Sequence, residues 1–98
     1  MSEPVFTADS IPMLALGYRF QWEQAQNCNV LLYPEGMVKL NGAAGEILKR
    51  ISEKQQTVAD LISELKVAFN GADLDDDVYK FLEEAYDNDW IRTETSTG

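Results

Sequence analysis

Val30-Leu31-Leu32-Tyr33-Pro34-Glu35-Gly36-Met37-Val38-Lys39-Leu40-Asn41, running on into Ala43, Ala44, Glu46, Ile47 and Leu48, reads strand, tight turn, strand, helix. Pro34 presets φ for the second position of a turn and Gly36 suits its fourth, so two apolar runs fold back on each other as a hairpin. The run from Val30 to Tyr33 is apolar throughout, as expected of a central strand covered on both faces. Asn41 is a good helix N-cap, because its side-chain oxygen can accept from an exposed amide of the first turn. Ala44, Ile47, Leu48 and Ile51 then repeat at helical spacing.

Upstream, Tyr18, Phe20 and Trp22 alternate with Arg19 and Gln21, which is the pattern of a half-buried strand. Polar Gln24 to Asn29 turns the chain, so three strands form a small antiparallel meander. Residues 1–17 mix Pro4, Asp9, Ser10, Pro12 and Gly17 without sustained periodicity and are expected to be a flexible arm. Downstream, Thr57 followed by Asp60 approximates a capping box, and Val58, Leu61, Ile62, Leu65 and Phe69 form one stripe that Asn70-Gly71 stops. Asp75 to Asp77 place negative charge at the positive end of a third helix. Its Val78, Phe81, Leu82 and Ala85 face the core, and Trp90 and Ile91 close it. The expected architecture is α+β and winged-helix-like, with a three-stranded antiparallel sheet followed by three helices over residues 18–92. Residues 93–98 are expected to be a disordered tail.

A chain of 98 residues is one domain, and at this size folding hides roughly two-thirds of the chain's surface. The single cysteine, Cys28, cannot form an intramolecular disulfide, and the start Met1-Ser2-Glu3-Pro4 has no basic segment of the kind that opens a signal peptide. Ile11 to Gly17 is too short and Pro-broken to span a bilayer. A soluble, cytoplasmic protein is expected. The net charge of −9 is uneven: residues 1–56 hold six acids and five bases, whereas residues 57–98 hold eleven acids and three bases. Such a surface repels phosphates, which disfavours both nucleic acid and anionic membrane.

Histidine is absent, which removes the commonest general base near neutral pH and the commonest metal ligand. Carboxylate pairs such as Glu83 and Glu84 fall on a solvated face, not in the apolar pocket that would raise a pKa for acid–base work. Asp73, Asp75, Asp77 and Glu84 match the first, third, fifth and twelfth positions of a calcium loop. The sixth position, where the loop needs Gly, is Val78, so these residues are better read as helix-start acids. Cys28 has no basic neighbour in sequence to lower its pKa and is given no role. No catalytic residue, metal site or cofactor is expected.

Tyr18-Arg19-Phe20-Gln21-Trp22-Glu23, the Leu32-Tyr33-Pro34-Glu35-Gly36 turn, Thr57-Val58-Ala59-Asp60-Leu61-Ile62, Asp77-Val78, Phe81-Leu82 and Trp90-Ile91 occur in one order. That ordered set, from Tyr18 to Ile91, resembles the pyrroloquinoline quinone (PQQ) biosynthesis protein D family, a leader-peptide recognition module. One departure is visible: where family members often carry Asp-Gly after the first helix, this chain has Ser52-Glu53-Lys54. The resemblance implies binding in place of catalysis. The precursor peptide PqqA would lie along the third strand of the meander, in a cleft bordered by the third helix. The module would then present it to PqqE, a radical S-adenosylmethionine enzyme.

An open sheet edge supplies the physical means, because its unpaired backbone donors and acceptors can be completed by an extended peptide. On this chain the strand contacts would be Met37, Val38, Lys39 and Leu40. Met37 and Lys39 point away from Val38 and Leu40. Tyr79 and Tyr86, seven residues apart and offset from the core stripe, are taken together with Glu83 as the helix side of the groove. A winged-helix transcription regulator is the rival reading. It conflicts with a third helical region that carries eight acids and one base between Asp73 and Asp89. The same open edge could also pair two copies as a homodimer.

Overall fold

A two-residue hairpin loop and helix caps set the path of the chain in the computed structural model, which describes residues 5–95. Its elements run β1 (Ser10–Leu14), β2 (Arg19–Glu23), β3 (Cys28–Tyr33), β4 (Gly36–Leu40), α1 (Gly42–Glu53), α2 (Val58–Ala68), α3 (Asp75–Asp87) and β5 (Ile91–Thr95). β2, β3 and β4 form the expected antiparallel meander with β3 central. The fold is α+β, with that meander preceding three helices. Val30 and Leu31 of β3 are both fully buried, so the strand is covered on both faces at its middle.

The hairpin closes on Pro34 and Glu35, with Tyr33 opposite Gly36 and Leu31 opposite Val38. The Tyr33 ring also stacks on Tyr18, with centroids 5.5 Å apart. β4 passes into α1 without a loop because Asn41 stays extended while its Oδ1 accepts the amide of Ala44 at 3.0 Å. Gly45 then brings α1 against the sheet: a Cβ there would lie 2.8 Å from the Asn29 side-chain nitrogen on β3. Thr57 Oγ1 caps α2 by accepting the Asp60 amide at 3.2 Å. Asn70 and Gly71, both at positive φ, end it. Leu48, Leu61, Leu65, Val78, Leu82 and Ile91 form the centre of one core.

Two expectations at the chain ends are corrected. The lead-in is not an irregular arm: Ser10–Leu14 pairs antiparallel with Ile91–Thr95 in a separate two-stranded sheet. Residues 93–95, expected in a disordered tail, belong to that sheet, while residues 1–4 and 96–98 lie outside the described residues. The partners come from opposite ends of the chain, so no local pattern announces them. Pro12 is tolerated because a two-stranded sheet consists only of edges. Phe6, also among the residues expected in the arm, is buried in the main core.

Trp22 is a third correction. The alternation puts it on one face of a half-buried strand with Phe20, yet it is 54% exposed. Alternation reports which side chains share a face, not how far along the strand the covering layer extends. An ion-pair cluster ties α1 and its C-cap to α2: Glu64 meets Lys54 at 2.8 Å and Arg50 at 3.7 Å, and Arg50 also meets Glu46 within α1 at 2.6 Å. The Lys54 ammonium, hydrogen-bonded to Glu64, holds that carboxyl below its ordinary range.

Candidate functional site

The register fixes which backbone groups of β4 are free. Pro34 has no N–H, and in a two-residue hairpin loop the closing pair, Tyr33 and Gly36, is the hydrogen-bonded kind. Pairs then alternate along an antiparallel ladder, so Leu31–Val38 and Asn29–Leu40 exchange hydrogen bonds, while Leu32–Met37 and Val30–Lys39 do not. The N–H and C=O of Met37 and Lys39 therefore point away from β3. Among the described residues no strand lies on that side, where β4 is an edge of its sheet.

Across that edge stands α3. A cleft of about 340 Å³ is lined by Lys39 and Leu40 of β4, Ala43 and Ile47 of α1, and Phe81 and Glu84 of α3. Asp77, Asn88 and Trp90 extend the α3 wall. Successive strand residues point to opposite faces, so a cleft touched by both Lys39 and Leu40 meets β4 at its edge, where the free amides are. Lys39 supplies a positive group on one wall, and Asp77 and Glu84 supply negative ones on the other. Acidic groups on this helix repel phosphate, which counts against reading α3 as a DNA-recognition helix.

The expected strand residues fall as the alternation requires. Met37 and Lys39 are exposed, Val38 is half-buried against the core, and Leu40 is 7% exposed. Met37 and Val38 lie on β4 beyond the cleft-lining side chains.

The helix residues fall elsewhere. Tyr79, Glu83 and Tyr86 lie on the opposite flank of α3, where they receive the chain's own N-terminal segment. Glu83 Oε2 accepts the amides of Val5 at 3.1 Å and Phe6 at 3.3 Å. The Tyr86 ring meets Phe6 edge-on with centroids 6.0 Å apart. Tyr79 and Glu83 line a separate hollow with Phe6 and Thr7. The two groups of residues are not brought together.

The α3 residues that do face the cleft were missed, although their spacing was readable. Asp77, Phe81, Glu84 and Asn88 recur at intervals of four, three and four, which is one helical stripe. At about 100° per residue this stripe and the Tyr79–Glu83–Tyr86 stripe flank the buried Val78–Leu82–Ala85 face on its two sides. Asp75, Asp76 and Asp77 occupy the first turn of α3, as helix-start acids do. Among the described residues, no three acidic or cysteine side chains converge as metal ligands. Nor is any helix long and apolar enough to cross a membrane.

Residues 28–91 match the family of coenzyme PQQ synthesis protein D. The chain belongs to that family. Relatives named PqqA binding protein are 48% identical over 86 residues in Azotobacter vinelandii and 51% identical over 84 residues in Pseudomonas aeruginosa. Those alignments cover 87% and 85% of this chain, and 92% and 90% of the relatives. The fold is also that of the solution NMR structure of the PqqD part of Methylobacterium extorquens PqqCD, a stand-alone recognition element for ribosomally synthesised, modified peptides. The TM-score is 0.74 at 25% identity, covering 93% of this chain and 99% of that one. The family's three-stranded sheet and helices thus correspond to the meander and helices described above.

Proposed function

We propose that this protein binds the precursor peptide PqqA as an added strand along β4, within the cleft faced by α3, and presents it to the radical enzyme PqqE. The observation that carries the reading is the free edge of β4: Met37 and Lys39 carry outward amides and carbonyls, and Lys39 borders a cleft walled by Phe81 and Trp90. Relatives named for PqqA binding supply the peptide's identity. The helix contacts in this reading come from Asp77, Phe81, Glu84, Asn88 and Trp90, in place of Tyr79, Glu83 and Tyr86. The protein's part is recognition and delivery, with the chemistry done by the enzyme that receives the peptide.

Backbone pairing sets the test. Lys39→Pro removes an outward N–H without breaking the ladder to β3, because the Val30–Lys39 pair exchanges no hydrogen bond. Titration of ¹⁵N-labelled protein with synthetic PqqA should shift the amides of Met37 to Leu40. Lys39→Pro should weaken binding about tenfold or more, while Lys39→Ala costs little. Shifts confined to α2 and the far face of α1, around Glu64, would place the peptide elsewhere. Sedimentation of the protein with PqqA and PqqE together tests delivery, and two separate binary complexes with no ternary one would rule it out. A second copy on the same edge would appear in the free protein as a dimer that the peptide dissociates.

A further inference from the structure

Next to the cleft lies a second hollow of about 180 Å³. Three helix ends converge there without filling it. Ala43 and Ile47 come from the start of α1, Leu65 and Phe69 from the end of α2, and Leu74 and Val78 from the start of α3. The reason lies in the local sequence: Ala43 is too small to reach the centre, and Asn70 and Gly71 turn the chain away at positive φ just after Phe69. Ala43, Ile47 and Asp77 line both hollows, so the two adjoin. Phe69 is 40% exposed at the rim, although the sequence placed it on the buried stripe of α2. Asp77 carries the only formal charge in the lining, and among the described residues no ion pair is formed by it.

We infer that this hollow is an anchor pocket for one bulky apolar side chain of the bound peptide, placed just beyond the strand-paired segment on its Leu40 side. The inference rests on the strand-addition reading, since only a peptide already lying along β4 would be led there. Size supports a single side chain: an apolar cavity of about 150 Å³ accommodates a benzene ring. The uncompensated Asp77 at the mouth favours a lysine or arginine next to the anchor residue. Strand pairing reads backbone and is tolerant of sequence, whereas a pocket of one side chain's volume discriminates, so selection among peptides would reside here.

Two variants alter the hollow and leave the cleft lining alone: Phe69→Ala removes a wall, and Leu74→Trp fills it from the half-buried residue before α3. Each should weaken PqqA binding about tenfold by calorimetry. Val67→Ser, on an 80% exposed residue outside the lining, should leave affinity unchanged. In a peptide series with each apolar residue replaced by alanine, one replacement should weaken binding to the unaltered protein but have no further effect on Leu74→Trp. Methyl signals of Ile47, Leu65 and Val78 should shift on titration. If the amides of Met37 to Leu40 shift while those methyls stay still and both variants bind within about twofold of normal, the anchor is overturned and strand addition survives. Silence of both sets of signals overturns the two readings together. Thermal unfolding confirms that each variant is folded, and if Phe69→Ala is not, Leu74→Trp and the methyl shifts decide.

Discussion

Phe81 and Tyr86 sit on the same helix five residues apart and have unrelated surroundings. Phe81 lines the cleft along β4. Tyr86 packs edge-on against Phe6 on the other flank. Their replacement separates the two faces. Phe81→Ala should weaken PqqA binding by about 1–2 kcal/mol, the range of a central aromatic contact. Tyr86→Ala should leave affinity unchanged and lower stability by about 1 kcal/mol through the lost ring pair. Calorimetric titration and thermal unfolding of both variants check this, and a binding defect in Tyr86→Ala alone would return the groove to the flank first expected from sequence. Tyr79, Glu83 and Tyr86 fall on the flank away from β4 because a helix has two flanks beside its buried stripe, and spacing alone cannot say which one meets the strand.

At the level of whole elements, β4 and α3 divide the work of the cleft between them. β4 offers backbone groups whose pairing is short-ranged and little affected by salt. α3 offers Asp77 and Glu84 to the cleft, within a helix that also carries Asp75, Asp76, Glu83 and Asp87. A wall of one sign attracts an oppositely charged segment over about 10 Å at moderate ionic strength. The association rate of PqqA should therefore fall as salt rises, while dissociation changes little. Stopped-flow measurement at low and high salt tests it, and a salt-independent association rate would reduce the acids to a solvated surface. The hairpin, the Asn41 and Thr57 caps and the three helices were legible because each is specified within a few residues by turn chemistry or periodicity. The β1–β5 sheet was not, since neither strand's own sequence contains its partner.

Taken as one molecule, the protein supports the outer flank of α3 with its N-terminal segment and seals the core with the sheet that joins β1 to β5. Phe6 is 2% exposed in the common core, and the amides of Val5 and Phe6 bond to Glu83 beside it. Phe6→Ala should cost about 3–5 kcal/mol, the range for a buried phenylalanine. That is a large part of the total stability, about 5–15 kcal/mol, typical of small domains. Denaturant unfolding measures it, and a cost under about 1 kcal/mol would show that the segment is not part of the core. Because α3 carries the cleft on one flank and this segment on the other, the position of the cleft's helical wall depends on residues outside the cleft.

The sequence by itself determined the elements and their local joints. Pro34 and Gly36 made the hairpin, Asn41 and Thr57 started two helices, and the Val78–Leu82–Ala85 stripe marked the buried face of a third. A three-stranded meander also leaves its first and third strands as edges, the third being Met37 to Leu40. Tertiary structure decided the pairing of the chain ends, the flank of α3 that looks across at β4, and the hollow left where three helix ends meet. Those depend on how finished elements pack. Side-chain periodicity fixes an element's faces relative to one another but leaves its neighbours undetermined, and only the packing of all the faces at once assigns each flank a partner.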